Sequence, residues 1–252
     1  MRILVTNDDG IHAPGLKALE KIAKSLSADV WVVAPEFEQS GASHSLTLTM
    51  PLRIRQVNRR KFAVRGTPTD CVMLALKTIM TGGAPDLLLS GVNRGGNLGE
   101  DVTYSGTIAA AMEGTMLGVP SIALSQVYLP GHAVKWATAE HHGPKLIRRL
   151  RKAGWTEGVL LNINFPDTTH DRVTGVELAV QGHRDLTELH IDDRIDARGV
   201  PYYWIGFRRQ PDERPGRETD LGVVAEGGIS VTPLQLDLTH GRTLKRLRAA
   251  LK

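Results

Sequence analysis

The chain has 252 residues, 41% hydrophobic and 23% charged, which describes a globular protein able to bury a sizeable core and excludes wholesale disorder. Its 31 Lys and Arg against 27 Asp and Glu leave a net charge of +4 and a pI near 9.3. That mild basicity suits anionic substrates but falls short of a nucleic-acid-binding signature. A single cysteine, Cys71, excludes an internal disulfide framework and a multi-cysteine zinc site.

The first half of the chain alternates strand-like and helix-like runs, the pattern of βαβ units and a mostly parallel sheet. Ile3-Leu4-Val5 reads as a buried strand that stops abruptly at Asn7-Asp8-Asp9-Gly10. Pro14 then opens a helix whose Leu19, Ile22, Ala23 and Leu26 share a face. Val30 to Val33 forms a second buried strand, ending at Ala34-Pro35 in a polar loop. Residues 46–65 read as shorter alternating strands, followed by a helix from Thr69 that Gly82-Gly83 stops.

Leu87-Leu88-Leu89 is the third buried strand, and the run from Ser90 to Thr107 leads into a helix rich in small residues from Ile108. A strand at 120–124, a long helix at 133–152 and a strand at 159–163 complete the core by about residue 165. Beyond it the pattern turns β-like around 173–180, 202–207 and 229–232, with a Pro/Arg/Glu-rich loop at 208–218. The expectation is one domain over residues 1–252. Residues 1–165 would form a Rossmann-like core, and 166–252 a β-rich C-terminal extension used in oligomer contacts. No run approaches the roughly 20 apolar residues of a membrane span, and no signal-peptide pattern is seen, so a cytoplasmic protein is expected.

Three loops that follow buried strands carry oxygen-bearing side chains: Asp8 and Asp9; Ser40 and Ser43; Asn93, Asn97, Ser105 and Thr107. In a parallel sheet those loops share one edge, where ligands bind. Two adjacent carboxylates repel unless a cation joins them. Carboxylate, hydroxyl and amide oxygens without Cys or paired His favour a hard cation, Mg²⁺, Mn²⁺ or Ca²⁺, and spacing does not choose among them.

Ser105-Gly106-Thr107 places hydroxyls and backbone N–H groups at a helix start, either a phosphate site or a simple cap. Asn-Asp-Asp-Gly is also ordinary turn chemistry, and Ser40 or Asn97 alone is ordinary loop chemistry. Joint placement after successive core strands is what supports a site. His12 and His44 lie in those loops as possible proton donors or merely solvated groups. His141-His142 is a poor metal pair, since neighbouring helical residues face apart. GVNRGG lacks the setting of a dinucleotide fingerprint. The basic segments 148–152 and 242–252 have leucines at helical intervals and no interleaved aromatics.

Long motifs in order then carry a family resemblance: ILVTNDDGIHAPG at 3–15, VVAPEFEQSGASHSLTL at 32–48, RGTPTDCV at 65–72, DLLLSGVNRGGNLGEDVTYSGTIAAAMEG at 86–114 and GGISVTPLQLDLT at 227–239. Over essentially its whole length the chain resembles the SurE (survival protein E) nucleotidases. The resemblance implies a Rossmann-like α/β fold and one divalent cation per subunit held by Asp8, Asp9, Ser40 and Asn93, with Asp8 and Asp9 also catalytic. It places Asn97, Ser105, Gly106 and Thr107 at the phosphate. It further implies hydrolysis of nucleoside 5′- and 3′-monophosphates, sometimes short polyphosphate, by a homodimer or homotetramer, with no membrane and no specific nucleic-acid partner. Water or an aspartate could be the nucleophile. The alternative is a metal-dependent nucleotide-sensing module that binds without turnover, and basic helices recruiting RNA form a third reading.

Overall fold

The computed structural model describes residues 1–183, 189–207 and 216–251. The chain begins with β1 (Arg2–Thr6), α1 (Pro14–Leu26), β2 (Asp29–Pro35), β3 (Arg53–Asn58), β4 (Lys61–Arg65) and α2 (Pro68–Leu74), continued by a π turn over Ala75–Ile79. It goes on through β5 (Leu87–Arg94), α3 (Asp101–Tyr104), α4 (Gly106–Met116), β6 (Ser121–Gln126), α5 (Trp136–Ala153) and β7 (Val159–Phe165). The C-terminal part adds β8 (Val176–Leu178), β9 (Leu189–Ile195), β10 (Pro201–Phe207), α6 (Asp220–Ala225), β11 (Ile229–Gln235) and α7 (Gly241–Ala250).

Among the described residues, nine strands form one sheet in the order β3-β4-β2-β1-β5-β6-β7-β11-β8. From β4 to β7 every neighbouring pair is parallel. The apolar runs of β1, β5 and β6 are buried because both sheet faces are covered. Ile3, Val5, Leu87 and Leu89 join Leu16, Leu19 and Ile22 of α1 and Leu146 and Ile147 of α5 in one cluster. Leu4, Leu88, Cys71, Val72, Ile108 and Ala111 form the cluster on the opposite face, under α2 and α4. Each fully buried Leu or Ile contributes roughly 1.5–3 kcal/mol. Cys71 is fully buried, and burial pushes its thiol pKa well up, so it is core rather than nucleophile.

The connection from β1 through α1 leads to β2 on one side, whereas β5 pairs with β1 on the other. The strand order therefore reverses between β1 and β5, and a crevice opens beyond their carboxyl ends. The residues after β1 are Asn7, Asp8 and Asp9.

Several expectations are corrected. The sheet does not end with residue 165: β11 returns antiparallel to β7, and β8 pairs parallel with β11. Ile229 and Val231 are fully buried in the same cluster as α1. Within 46–65 only β3 and β4 are strands, paired antiparallel, and β3 is exposed along its length. β9, not expected from the sequence, pairs with β10 in a separate two-stranded hairpin. Residues 208–215 of the Pro/Arg/Glu-rich loop and Lys252 lie outside the described residues. No helix among the described residues is long and apolar enough to cross a membrane.

Candidate metal and phosphate site

Asp8 is 4% exposed and its Oδ1 accepts a 2.5 Å hydrogen bond from Thr107 Oγ1 in the first turn of α4. Asp9 accepts from the Arg94 backbone N–H at the end of β5, 3.2 Å away. The Gln39 N–H donates to Asp8 O at 2.8 Å, which ties in the loop after β2. Direct bonds thus bring the loops after β1, β2 and β5 together. Close backbone approach is required at two glycines. Gly10, at φ +98°, lies where a Cβ would be 3.3 Å from the Phe37 carbonyl carbon. A Cβ on Gly106 would stand 2.8 Å from Asp8 Cβ.

The carboxylates are strained electrostatically. Burial, the charge of Asp8 and that of Glu38 push Asp9 up to about 6, outweighing its bond from Arg94. Burial raises Asp8 despite the Thr107 bond. A buried and a half-buried carboxylate side by side, with Glu38 adding to the repulsion, are what a cation would relieve, so the residues fit a divalent metal. No group of three His, Cys, Asp or Glu side chains among the described residues could hold a metal ion, so a cation here would need other oxygen donors beside the two aspartates. Asn93 spends an amide N–H on Gly95 O at 3.0 Å, a bond that does not use its oxygen. Ser40 is exposed at the rim and donates to Glu38 Oε1 at 2.8 Å. Glu38 was missed by sequence reasoning, although its place in the loop after β2 signals it.

Ser105 makes the helix cap, its Oγ accepting from the Ile108 N–H at 3.1 Å. The first intrahelical bond of α4 runs from the Ala109 N–H to Ser105 O, which leaves Gly106 and Thr107 ahead of it at the positive end of the helix. Asn97 is turned into the protein. Its Nδ2 donates to Ser125 Oγ at 2.7 Å, and its backbone O accepts from Asn162 and Asn164 on β7.

His12 is exposed. His44 Nε2 lies 3.0 Å from Glu113 Oε2, a carboxylate buried on α4. With Ser43 Oγ donating to Thr103 O at 2.8 Å, this pair straps the Ser40 loop onto α3 and α4. The structure therefore gives His44 an anchoring contact. His141 is exposed and stacks on His170.

The family model described as "Survival protein SurE" matches residues 3–188. The chain belongs to the SurE family. A SurE relative from Parvibaculum lavamentivorans, named "5'-nucleotidase SurE", is 60% identical over all of this chain and 91% of its own. One of the same name from a Methylobacterium species is 58% identical over the full length of both. The crystal structure of the SurE protein from Aquifex aeolicus covers both chains completely at 38% identity, with a TM-score of 0.85.

Proposed function

We propose that the chain is a divalent-metal-dependent phosphomonoesterase that releases phosphate from nucleoside 5′-monophosphates and, as the family resemblance implies, also from 3′-monophosphates and short polyphosphate. The observation that carries this is the Asp8-Asp9 pair at the β1/β5 crevice, Asp8 buried and Asp9 half-buried, facing the N-terminus of α4. Membership of the SurE family and the nucleotidase names of full-length relatives support it. Repelled carboxylates alone would exclude phosphate, which argues for a cation between them.

In this reading Asp8, Asp9, Ser40 and Asn93 hold one cation per subunit, Mg²⁺, Mn²⁺ or Ca²⁺. Such a cation supplies charge to polarise a phosphoryl oxygen and to acidify water. Thr107 holds Asp8 and the Arg94 N–H holds Asp9 in place, so that one of the two carboxylates can orient or deprotonate the attacking water. The N–H groups of Gly106 and Thr107 face the equatorial phosphoryl charge, with Ser105 fixing the turn, while Asn97 acts from inside, tying the loop to Asn162, Asn164 and Ser125 rather than touching phosphate.

The chain assembles as a homodimer or homotetramer through its C-terminal region. The β9–β10 hairpin leaves Ile191, Ile195, Tyr203 and Ile205 more than half exposed on one face, an apolar patch suited to a second copy, with Trp204 exposed on the other. A lone buried thiol fits a reducing cytoplasm. Phosphate release from a panel of 5′- and 3′-nucleotides with Mg²⁺, Mn²⁺ or EDTA tests the reading. Release that stops in EDTA is expected; nucleotide bound but recovered intact under every metal would replace it with a sensing module.

A further inference from the structure

A buried carboxylate far along the chain grips the middle of the glycine-rich loop. Asp220, the first residue of α6, is fully buried. Its Oδ2 accepts from the Gly99 N–H at 3.0 Å, and its Oδ1 accepts from the N–H groups of Gly182 at 2.9 Å and Leu221 at 2.8 Å. The other polar group of Gly99 is also taken, since Gln181 Nε2 donates to Gly99 O at 3.0 Å. Both backbone groups of one loop residue are therefore held by residues 82 and 121 positions away. The clamp is itself anchored, because Asp220 N donates to Val180 O and Val180 N to Glu218 O.

Gly99 lies in the segment 94–107, whose ends bear directly on the metal carboxylates, through Arg94 N on Asp9 and Thr107 Oγ1 on Asp8. Between those ends, Asn97 is fixed by Asn162 and Asn164, and Gly99 by Asp220 and Gln181. A loop that must present backbone groups to a phosphate gains affinity by being held in place beforehand.

We propose that Asp220 is a positioning residue for phosphate capture, holding Gly99 so that the 95–107 segment is set for the phosphoryl group before substrate arrives. The proposal rests on the phosphatase reading above. It goes beyond the metal and phosphate ligands, because Asp220 acts through the loop, and it makes substrate binding depend on the C-terminal segment. The local chemistry predicts the effect of an isosteric change. Three N–H groups converge on two carboxylate oxygens, and an asparagine offers only one oxygen. In Asp220→Asn the oxygen satisfies the Gly182 and Leu221 pair, and the NH₂ is turned against the Gly99 N–H.

The test uses the full chain with saturating Mn²⁺ and follows nucleoside formation, with inorganic phosphate as competitive inhibitor. Loss of one charge-assisted bond predicts that KM and the phosphate inhibition constant both rise about tenfold in Asp220→Asn, with kcat changed less. Gln181→Ala, at an exposed position, should shift both in the same direction by about threefold. Mn²⁺ affinity without substrate should stay as in the wild type for both variants, a split that general loosening of the fold would not give.

Unchanged KM and phosphate inhibition in folded variants would overturn the proposal, as would Mn²⁺ affinity falling in step with them. If Asp220→Asn does not fold, Gln181→Ala decides. A wild-type chain that forms no nucleoside would refute the phosphatase reading alone. Calorimetric binding of inorganic phosphate to the Mn²⁺-treated variants would then still score the clamp, by weaker binding or by none of the expected difference.

Discussion

Replacing Asp9 by asparagine separates the cost of keeping two carboxylates together from the benefit of the cation that joins them. Burial and the charge of Asp8 raise the Asp9 pKa from 3.8 to about 6. A carboxyl whose folded pKa is raised is best tolerated below its unfolded value, and the stability is lost as pH climbs through the folded one. Above that window the metal-free protein therefore bears a cost of about 3 kcal/mol, two units at about 1.4 kcal/mol each. Asparagine mimics the protonated side chain and removes the cost. In EDTA near pH ~8, urea unfolding at fixed protein concentration should find Asp9→Asn more stable by about 3 kcal/mol, and near pH ~5 by about half as much. Added Mn²⁺ should stabilise the wild type and leave the variant unmoved. A variant that is less stable in EDTA at the higher pH, or a difference that ignores pH, would refute the electrostatic reasoning.

Gly106→Ala would ordinarily stabilise a helix, but its Cβ would meet Asp8 Cβ at 2.8 Å and Pro68 Cγ at 3.1 Å. Phosphate release should fall sharply with no gain in melting temperature, and an active, more stable variant would contradict the crowding. His44→Ala leaves Glu113 buried without that partner, which should cost about 1–3 kcal/mol in urea unfolding and weaken Mn²⁺ binding through the loosened Ser40 loop. Unaltered Mn²⁺ affinity would show the strap to be idle. At Asp167, burial alone would raise the pKa, yet bonds from Lys135, His132 and the Leu129 N–H outweigh it and hold it low. Such a group stabilises above its unfolded pKa, and the benefit is lost as pH falls through the folded one. Asp167→Asn should therefore lose about 1–3 kcal/mol near neutral pH and progressively less in acid, read by urea unfolding.

What could be read from the sequence was local. The apolar runs of β1, β2 and β5 and the charge that follows the first of them at Asp8 identify the strands and the edge where ligands gather, because both follow from neighbouring residues. Asp8, Asp9 and Thr107 do converge, since a parallel sheet forces its loops to one side. The return of β11 onto β7 was hidden, because Ile229 to Thr232 reads as a strand wherever it pairs. Asp220, Gln181 and the His44–Glu113 pair were hidden for the same reason: each meets a partner dozens of residues away, which no periodicity encodes. Ser105 shows a related limit, for a cap and a phosphate turn share one sequence pattern, and the structure shows the cap bond.

If Asp8 and Asp9 hold the cation on which phosphate release depends, neither can be lost without losing turnover. Release of phosphate from a nucleoside 5′-monophosphate should be titrated with Mn²⁺ for the wild type, Asp8→Asn and Asp9→Ala, each shown to be folded. The account predicts saturable, EDTA-reversible release by the wild type and a loss of at least about a hundredfold in both variants at any Mn²⁺ concentration. Full metal-dependent turnover by Asp9→Ala would contradict it.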